Sequence, residues 1–350
     1  MTEIIAQLDD LITIDIGGVC YMIEKYLCCD LKMLAILYGI NGANSNQPCI
    51  WCDYNIKGDI TDEAGNYIYS SKNINRTLRE SMRSIGTKGY KRNSIINIEF
   101  RNCVVDTLHL FLRITEKLWK NLILWIEQND ATQRNDNLSR RPLMKRFLDF
   151  ISIECNLYNV YYIKENKNLE ESVQFRSFNS NEFETIFTRI FKLTADYNFE
   201  DKNGLLRILE PVREIGRPKL RLINHIWLKF YQLYQHSVNR KKFDSSADLT
   251  NALKNFFITL KQPRFENCLN LTPYLHTLIH HLPEFIEIHD DINIFNLQGF
   301  EKLNQVLRNH YQRSTNKKTK IYLKQLLSIR NRSELIHFKF ETSFLNLNNF

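Results

Sequence analysis

Cys49-Ile50-Trp51-Cys52 sets two thiols three positions apart in a loop, and far downstream His276 and His281 supply two imidazoles separated by four residues. Two thiolates and two neutral imidazoles are the ligand set of a closed, tetrahedral structural zinc site, and the CxxC spacing lets both sulfurs reach one ion. Such a site would tie two distant stretches of chain into one domain. Neither half is specific alone, because a CxxC also serves as a redox pair and histidines on a helix are commonly core residues. His280 competes with His281. His276 and His280 stand at i,i+4, the ordinary two-ligand spacing on one helical face, whereas Pro283 argues that the helix ends or kinks near His281. Trp51, between the cysteines, reads as a shield for the site. A nucleophilic Cys49 would need a depressed thiol pKa, and the motif follows Pro48 in a loop with no evident helix N-terminus and no cation before Lys57.

A second set of residues speaks to phosphate. Between Lys72 and Arg92 there are seven basic residues against Glu80 alone, and between Arg308 and Arg332 there are eight with no acid. The first stretch is balanced between a DNA-facing surface and self-solvating helices. In the second, unpaired like charges repel one another unless an anion is near, and a nucleic-acid backbone is the usual partner. Arg308, Arg313, Lys317, Lys318 and Lys320 are its expected contacts. Asp30 and Glu301 flank these groups; on their own they read as an N-cap and an exposed helix residue.

The elements that must hold these groups follow from the pattern. Leu11–Ile16, the Gly17-Gly18 turn and Val19–Leu27 predict a β-hairpin, and Asp30 ends it where a helix over Leu31–Tyr38 begins, with Gly39 as its stop. The stretch 41–65 is loop and carries the CxxC. Helical spacing recurs over Val104–Gln128, Asn181–Leu193, Leu220–His236, Leu249–Leu260 and Tyr274–Ile288, with 166–181 and 262–270 as connections. The chain therefore reads as mainly α with a small N-terminal β element. Apolar residues at 43% and charged residues at 25% exclude a disordered chain. Eight irregular cysteines do not make a disulfide scaffold, and the first residues lack the pattern of a signal peptide. No stretch approaches the ~20 apolar residues of a membrane helix. An intracellular protein with reduced thiols is expected, and the net charge of +8 permits an anionic partner.

Cys29-Asp30-Leu31-Lys32, Gly39 and Pro48-CIWC resemble the part of Transib-type transposases and of the V(D)J recombination-activating recombinase that bears the second catalytic aspartate and a zinc-binding CxxC. Asp106-Thr107-Leu108-His109 is similar to a further short motif of that group. His276-x4-His281 and Gln298-Gly299-Phe300-Glu301-Lys302-Leu303-Asn304 resemble its zinc histidines and the helix bearing its catalytic glutamate, in the same order over residues ~20 to ~315. CACTA, Mirage and Chapaev transposases share the cysteine and histidine arrangement.

The resemblance implies a DDE enzyme with a partial RNase H-like α/β core, interrupted by a long helical zinc-braced insertion. Residues 1–40 would be the core segment with the second aspartate, 41–290 the insertion, and 291–350 the core helix with the glutamate and a basic tail. It further implies Mg²⁺ or Mn²⁺ held by carboxylates, DNA strand cleavage and transfer, and a nuclear or otherwise intracellular location. Asp30 and Glu301 would be the catalytic pair. The family's first aspartate lies far upstream of the second, and Asp15, Asp9 and Asp10 have no good claim to its place. Asp15 would stand roughly 35–40 Å from Asp30 along a continuous hairpin at ~3.4 Å per residue. An N-terminally truncated, catalytically incomplete transposase is thus expected, completed by a missing part in trans or a homodimer. Asp106 and Asp53 are the alternative third carboxylates. A zinc-stabilised DNA- or protein-binding module without catalysis, and a thiol or metal enzyme unrelated to DNA, stand as the other readings.

Overall fold

The computed structural model describes residues 7, 9–55, 60–61, 67–68, 74–132, 142–156, 161–165, 171–175, 177–186, 189, 207–213, 217–238, 246–260, 272–289 and 292–314. Among these it is mainly helical, with short two-stranded sheets. Two compact units are present, 1–296 and 297–350.

Thr13–Ile16 (β1) pairs antiparallel with Val19–Met22 (β2) around Gly17 and Gly18. Both glycines have positive φ, +63° and +82°, as the two central residues of a hairpin turn require. The Asp15 carboxylate accepts the Gly18 N–H at 3.0 Å, so this acid caps the turn. The return strand does not run on to Leu27 as expected. It ends at Met22, and Leu27–Cys29 (β3) instead pairs in parallel with Cys103–Val105 (β4). Burial decides between the two pairings. Every residue of the β1–β2 hairpin is exposed, whereas β4 is sealed in the core, so pairing with β4 removes apolar surface from water that a longer hairpin would leave wet.

Asp30 then caps Leu31–Tyr38 (α1), its carboxylate accepting the Met33 N–H at 2.9 Å. Leu31, Leu34, Ala35 and Tyr38 form the buried face at the spacing of one helical stripe. Gly39 closes the helix in the left-handed conformation, and a Cβ there would collide with the Arg92 carbonyl oxygen. Leu78–Arg83 (α2) is capped by Thr77.

Val104 and Val105, expected to begin a helix, belong to β4; being β-branched and fully buried, they suit a pleated strand. The helix starts after Asp106 and spans Thr107–Thr132 (α3). Its stripe Phe111, Ile114, Leu118, Trp119, Leu122 and Ile126 is the spine of the core. Against it pack Pro142–Cys155 (α4), Ser180–Thr185 (α5) and Arg217–Val238 (α6), the last covered in turn by Ser246–Leu260 (α7). Trp119 meets Phe178 and Trp227 edge to face, with centroids 5.2 and 6.4 Å apart. The expected connection over 166–181 contains a strand: Tyr161–Glu165 (β5) pairs with Glu171–Phe175 (β6) from Tyr161↔Phe175 to Glu165↔Glu171. Aromatic and β-branched residues at Tyr161, Tyr162, Ile163 and Val173 favour that pairing over coil. No helix among the described residues is long and apolar enough to cross a membrane.

One buried acid locks the α3–α4 corner. The two oxygens of Asp130 accept the Leu143 and Met144 N–H groups, each at 2.9 Å, so the C-terminal turn of one helix caps the start of the next. Asp130→Ala strands both donors, and a loss of about 2 kcal/mol is expected, read as a lower midpoint in urea at unchanged slope. An unchanged midpoint would show that water serves those donors equally well.

Candidate metal centre

The CxxC lies on the core side of its loop, and all four of its residues are buried. A short two-stranded bridge sets its backbone. Cys52 pairs with Asn75, the Arg76 N–H reaches the Trp51 carbonyl at 2.8 Å, and Asp53 donates to Ile74 at 3.1 Å. Asp53, considered above as a spare carboxylate, accepts the Ile74 N–H at 2.8 Å and thereby closes this bridge. The Arg76 side chain holds the other end: it donates to the Cys49 carbonyl at 3.1 Å and the Lys88 carbonyl at 2.7 Å, and lies 4.7 Å over the Tyr90 ring. Trp51 donates its indole N–H to the Cys103 carbonyl at 2.6 Å, which fastens the motif to β4, and its ring packs on His281 and Phe285.

The histidines arrive on a helix with an irregular middle. Pro273–His276 (α8), capped by Thr272, runs into a single π-helical turn over Thr277–His281 and continues as Leu282–His289 (α9). The Leu282 N–H reaches back five residues to the Thr277 carbonyl. In a regular α-helix, residues five apart point about 140° away from each other, which is why i,i+4 is the usual ligand spacing. The π turn inserts one residue per turn and brings His276 and His281 to the same face. His280 is left beside them, stacked on His276 at 4.5 Å. The structure resolves the choice in favour of His281.

Cys49, Cys52, His276 and His281 form one buried cluster whose ligand atoms all lie within 4.8 Å of one another. Cys49 Sγ is 3.3 Å from His281 Nε2, and Cys52 Sγ is 3.2 Å from His276 Nε2. Around a tetrahedral zinc with bonds of ~2.0–2.3 Å, ligand atoms stand about 3.3–3.8 Å apart. The four residues are therefore spaced to hold a metal ion such as zinc. Outside the ligand set, Glu284 accepts from His281 Nδ1 at 3.0 Å. A carboxylate on the far ring nitrogen fixes the tautomer and leaves Nε2 to face the ion. The Tyr54 ring stacks on His276 at 4.1 Å.

The electrostatics of the cluster match that donor set. Burial opposes ionisation of the Cys49 thiol, yet it is held well below its usual value by the Cys52 thiol and by His281 and His276. His281 is likewise buried against its charge, and the neighbouring Cys49 thiolate and Glu284 raise it to about 9. His280, buried and beside two other histidines, is lowered to about 3 and stays neutral. Each of the two cysteines faces one imidazole, and a bound divalent cation would take the place of the protons between them.

Beside this centre the parallel pair places a second group. Cys29 and Val105 are register partners, so Asp30 and Asp106 follow at the same end of neighbouring strands, whose axes stand ~4.8 Å apart. Asp106 is buried, caps α3 by accepting the Leu108 and His109 N–H groups at 3.1 and 3.3 Å, and pairs with the His109 ring. Tyr274 closes that end, where burial raises its hydroxyl pKa, Arg113 lowers it, and Asp30 and Asp106 both raise it. Periodicity missed this arrangement because it placed Val104 and Val105 in a helix. The strand was nonetheless written in the β-branched pair just before Asp106.

Glu301 lies on Gln298–Ser314 (α10), in the second unit, with its N–H on the Leu297 carbonyl at 2.9 Å. Arg308 and Arg313 are exposed on the same helix; Lys317, Lys318 and Lys320 lie outside the described residues. In the first basic stretch Arg76 is buried, Lys88 pairs with Glu80, and Arg92 donates to the Ile36 carbonyl at 2.5 Å. Three of its seven cations are thus engaged within the protein. In comparisons with known proteins, no family model and no curated sequence matches the chain.

Proposed function

We propose that this chain is a transposase-derived DNA-binding protein, related to DDE transposases and recombinases of the Transib and V(D)J type or the CACTA, Mirage and Chapaev group, and that a structural zinc braces it. The observation that carries the reading is the joining of two features in one unit. A strand-end aspartate leads into α1, and the CxxC that follows closes on a histidine pair 224 and 232 residues downstream. The motifs of the resemblance are thus supported by their geometry as well as by their order. In this reading β3, ending at Asp30, belongs to an RNase H-like core, Glu301 on α10 is the family's glutamate, and residues 41–290 are the zinc-braced insertion. Zinc, when bound at the four ligands, supplies folding free energy and no open coordination position for chemistry. The four ligands, held by Arg76, Trp51 and Glu284, keep the strand-end region in register. Arg308, Arg313, Lys317, Lys318 and Lys320 supply the contacts to the DNA backbone, and the protein works where chromosomal DNA is, in the nucleus.

A binding module without catalysis is the second reading, favoured by the use already made of the acids. Asp30 and Asp106 are both helix N-caps, and Asp106 also holds His109. Two-metal phosphoryl transfer needs carboxylates that bridge ions on both the attacking and the leaving oxygen. Among the described residues the one cluster with three or more ligands for an ion is the Cys₂His₂ set. The chain by itself is accordingly expected not to nick supercoiled DNA in Mg²⁺ or Mn²⁺. Metal-dependent nicking that disappears in Asp30→Ala, Asp106→Ala and Glu301→Ala would overturn the module reading and establish the enzyme.

A further inference from the structure

A cleft of about 720 Å³ opens along α1, reaching from Leu31 to Gly39 and bounded opposite by the 40–45 turn and Tyr274. That volume falls within the ~300–1,000 Å³ of sites that take a small organic group. Its apolar lining is Leu31, Ala35 and Ile36 with Pro48 and Pro273, and its polar lining is peptide and carboxamide from Asn41 to Ser45. The Ser45 hydroxyl is shut from solvent and has no hydrogen-bond partner. The charged residues that line the cleft are Lys32, Lys91 and Arg92, with no acid among the lining residues, and all three are exposed. Such a site suits a flat heteroaromatic group that stacks on one side, hydrogen-bonds on the other, and carries its negative charge at the mouth.

The two ends of the cleft differ in charge. At one end Leu31 directly follows Asp30, and Tyr274 lies within the electrostatic reach of Asp30, Asp106 and Arg113. At the other, Lys91 and Arg92 lead out over the end of α1.

We propose that this cleft receives one unpaired nucleotide of a DNA strand, its base between the α1 wall and the 41–45 turn, the phosphates on its two sides at Lys32 and at Lys91. The inference rests on the DNA-binding reading above. Every base has a face to stack and a base seated this way needs no particular sequence, so the cleft selects unpaired over paired nucleotides and not one base over another.

The test compares a blunt duplex with the same duplex bearing a short single-stranded overhang that contains 2-aminopurine, using the full chain. The overhang is expected to bind about 10-fold tighter, near the low end of what stacking one base on an aromatic ring gives because the walls here are mostly aliphatic, with a change in 2-aminopurine fluorescence on binding. Ala43→Trp, on the exposed turn that lines the cleft, fills it and removes the preference. Asn46→Trp, exposed on the same loop outside the lining, keeps the preference and controls for folding. Duplex binding without any overhang advantage sinks the cleft assignment and leaves the DNA reading standing. Binding of neither DNA sinks both. A preference that survives Ala43→Trp puts the unpaired nucleotide elsewhere, and dAMP binding without an overhang preference makes the ligand a free nucleotide.

Discussion

Stripping the metal with a strong chelator is expected to unfold the 1–296 unit, seen as loss of near-UV circular dichroism and of a cooperative thermal transition. Structural zinc contributes about 10–16 kcal/mol of apparent folding free energy in small zinc domains, and a whole domain is stable by only about 5–15 kcal/mol. The metal term is therefore as large as the total it supports. The purified protein should carry one zinc per chain, and Cys49→Ser, Cys52→Ser, His276→Ala and His281→Ala should each lose it. His280→Ala should retain it, because the π turn leaves that ring outside the ligand set. A protein that keeps zinc without His281 but loses it without His280 would overturn this ligand set, and a metal-free protein melting at the same temperature would remove the bracing role. Acid should release the metal, since protons compete for the thiolates and imidazoles. Base acts on whatever metal-free fold persists: His281 is raised from 6.5 to about 9, so its contribution is full below the lower value and disappears as pH rises through the upper.

Duplex DNA affinity is expected to fall about 500-fold between 50 and 200 mM salt. If the five basic residues of the second stretch each neutralise one phosphate, the logarithmic slope is about −0.9 per contact, or about −4.5 in all, acting over a fourfold change in salt. Replacing all five by alanine should flatten the slope toward zero and weaken binding equally on unrelated sequences. Replacing Arg79 and Arg83, on α2 in the first basic stretch, is expected to matter far less. A flat salt dependence in the unaltered protein would reduce Arg308, Arg313, Lys317, Lys318 and Lys320 to a solvated surface.

The metal centre was legible from four residues because the chemistry of zinc demands specific side chains at close spacing. The resemblance selects His281 over His280, and His281 is the ligand-spaced residue, although helical spacing alone points to His280. The i,i+5 geometry depends on a backbone hydrogen bond from Leu282 to Thr277, and a π turn has no side-chain signature. Asp30 and Gly39 marked the ends of α1 correctly, since a carboxylate that caps and a residue that tolerates positive φ leave local signs. The pairing of β3 with β4 was hidden, because partners 76 positions apart meet through burial, and a three-residue strand is too short to show a period. The β5–β6 hairpin is local, with five-residue strands; its aromatic and β-branched residues are a usable sign that the reading of 166–181 as a connection passes over. The first basic stretch stayed open between two readings for a related reason: composition counts charges, and only the fold reveals that Arg76 is an interior strut.

The metal centre also imposes a timetable on the making of the protein. Cys52 leaves the ribosome 224 residues ahead of its partner His276, an interval of roughly 10–45 s at ~5–20 residues per second. Throughout that time the two thiols have no imidazoles to share an ion with, while α3 through α7 are able to pack from local sequence. Synthesis therefore calls for surroundings that keep thiols reduced and free copper low, because a disulfide or a soft metal captured by the CxxC in that interval would still occupy it when the histidines arrive.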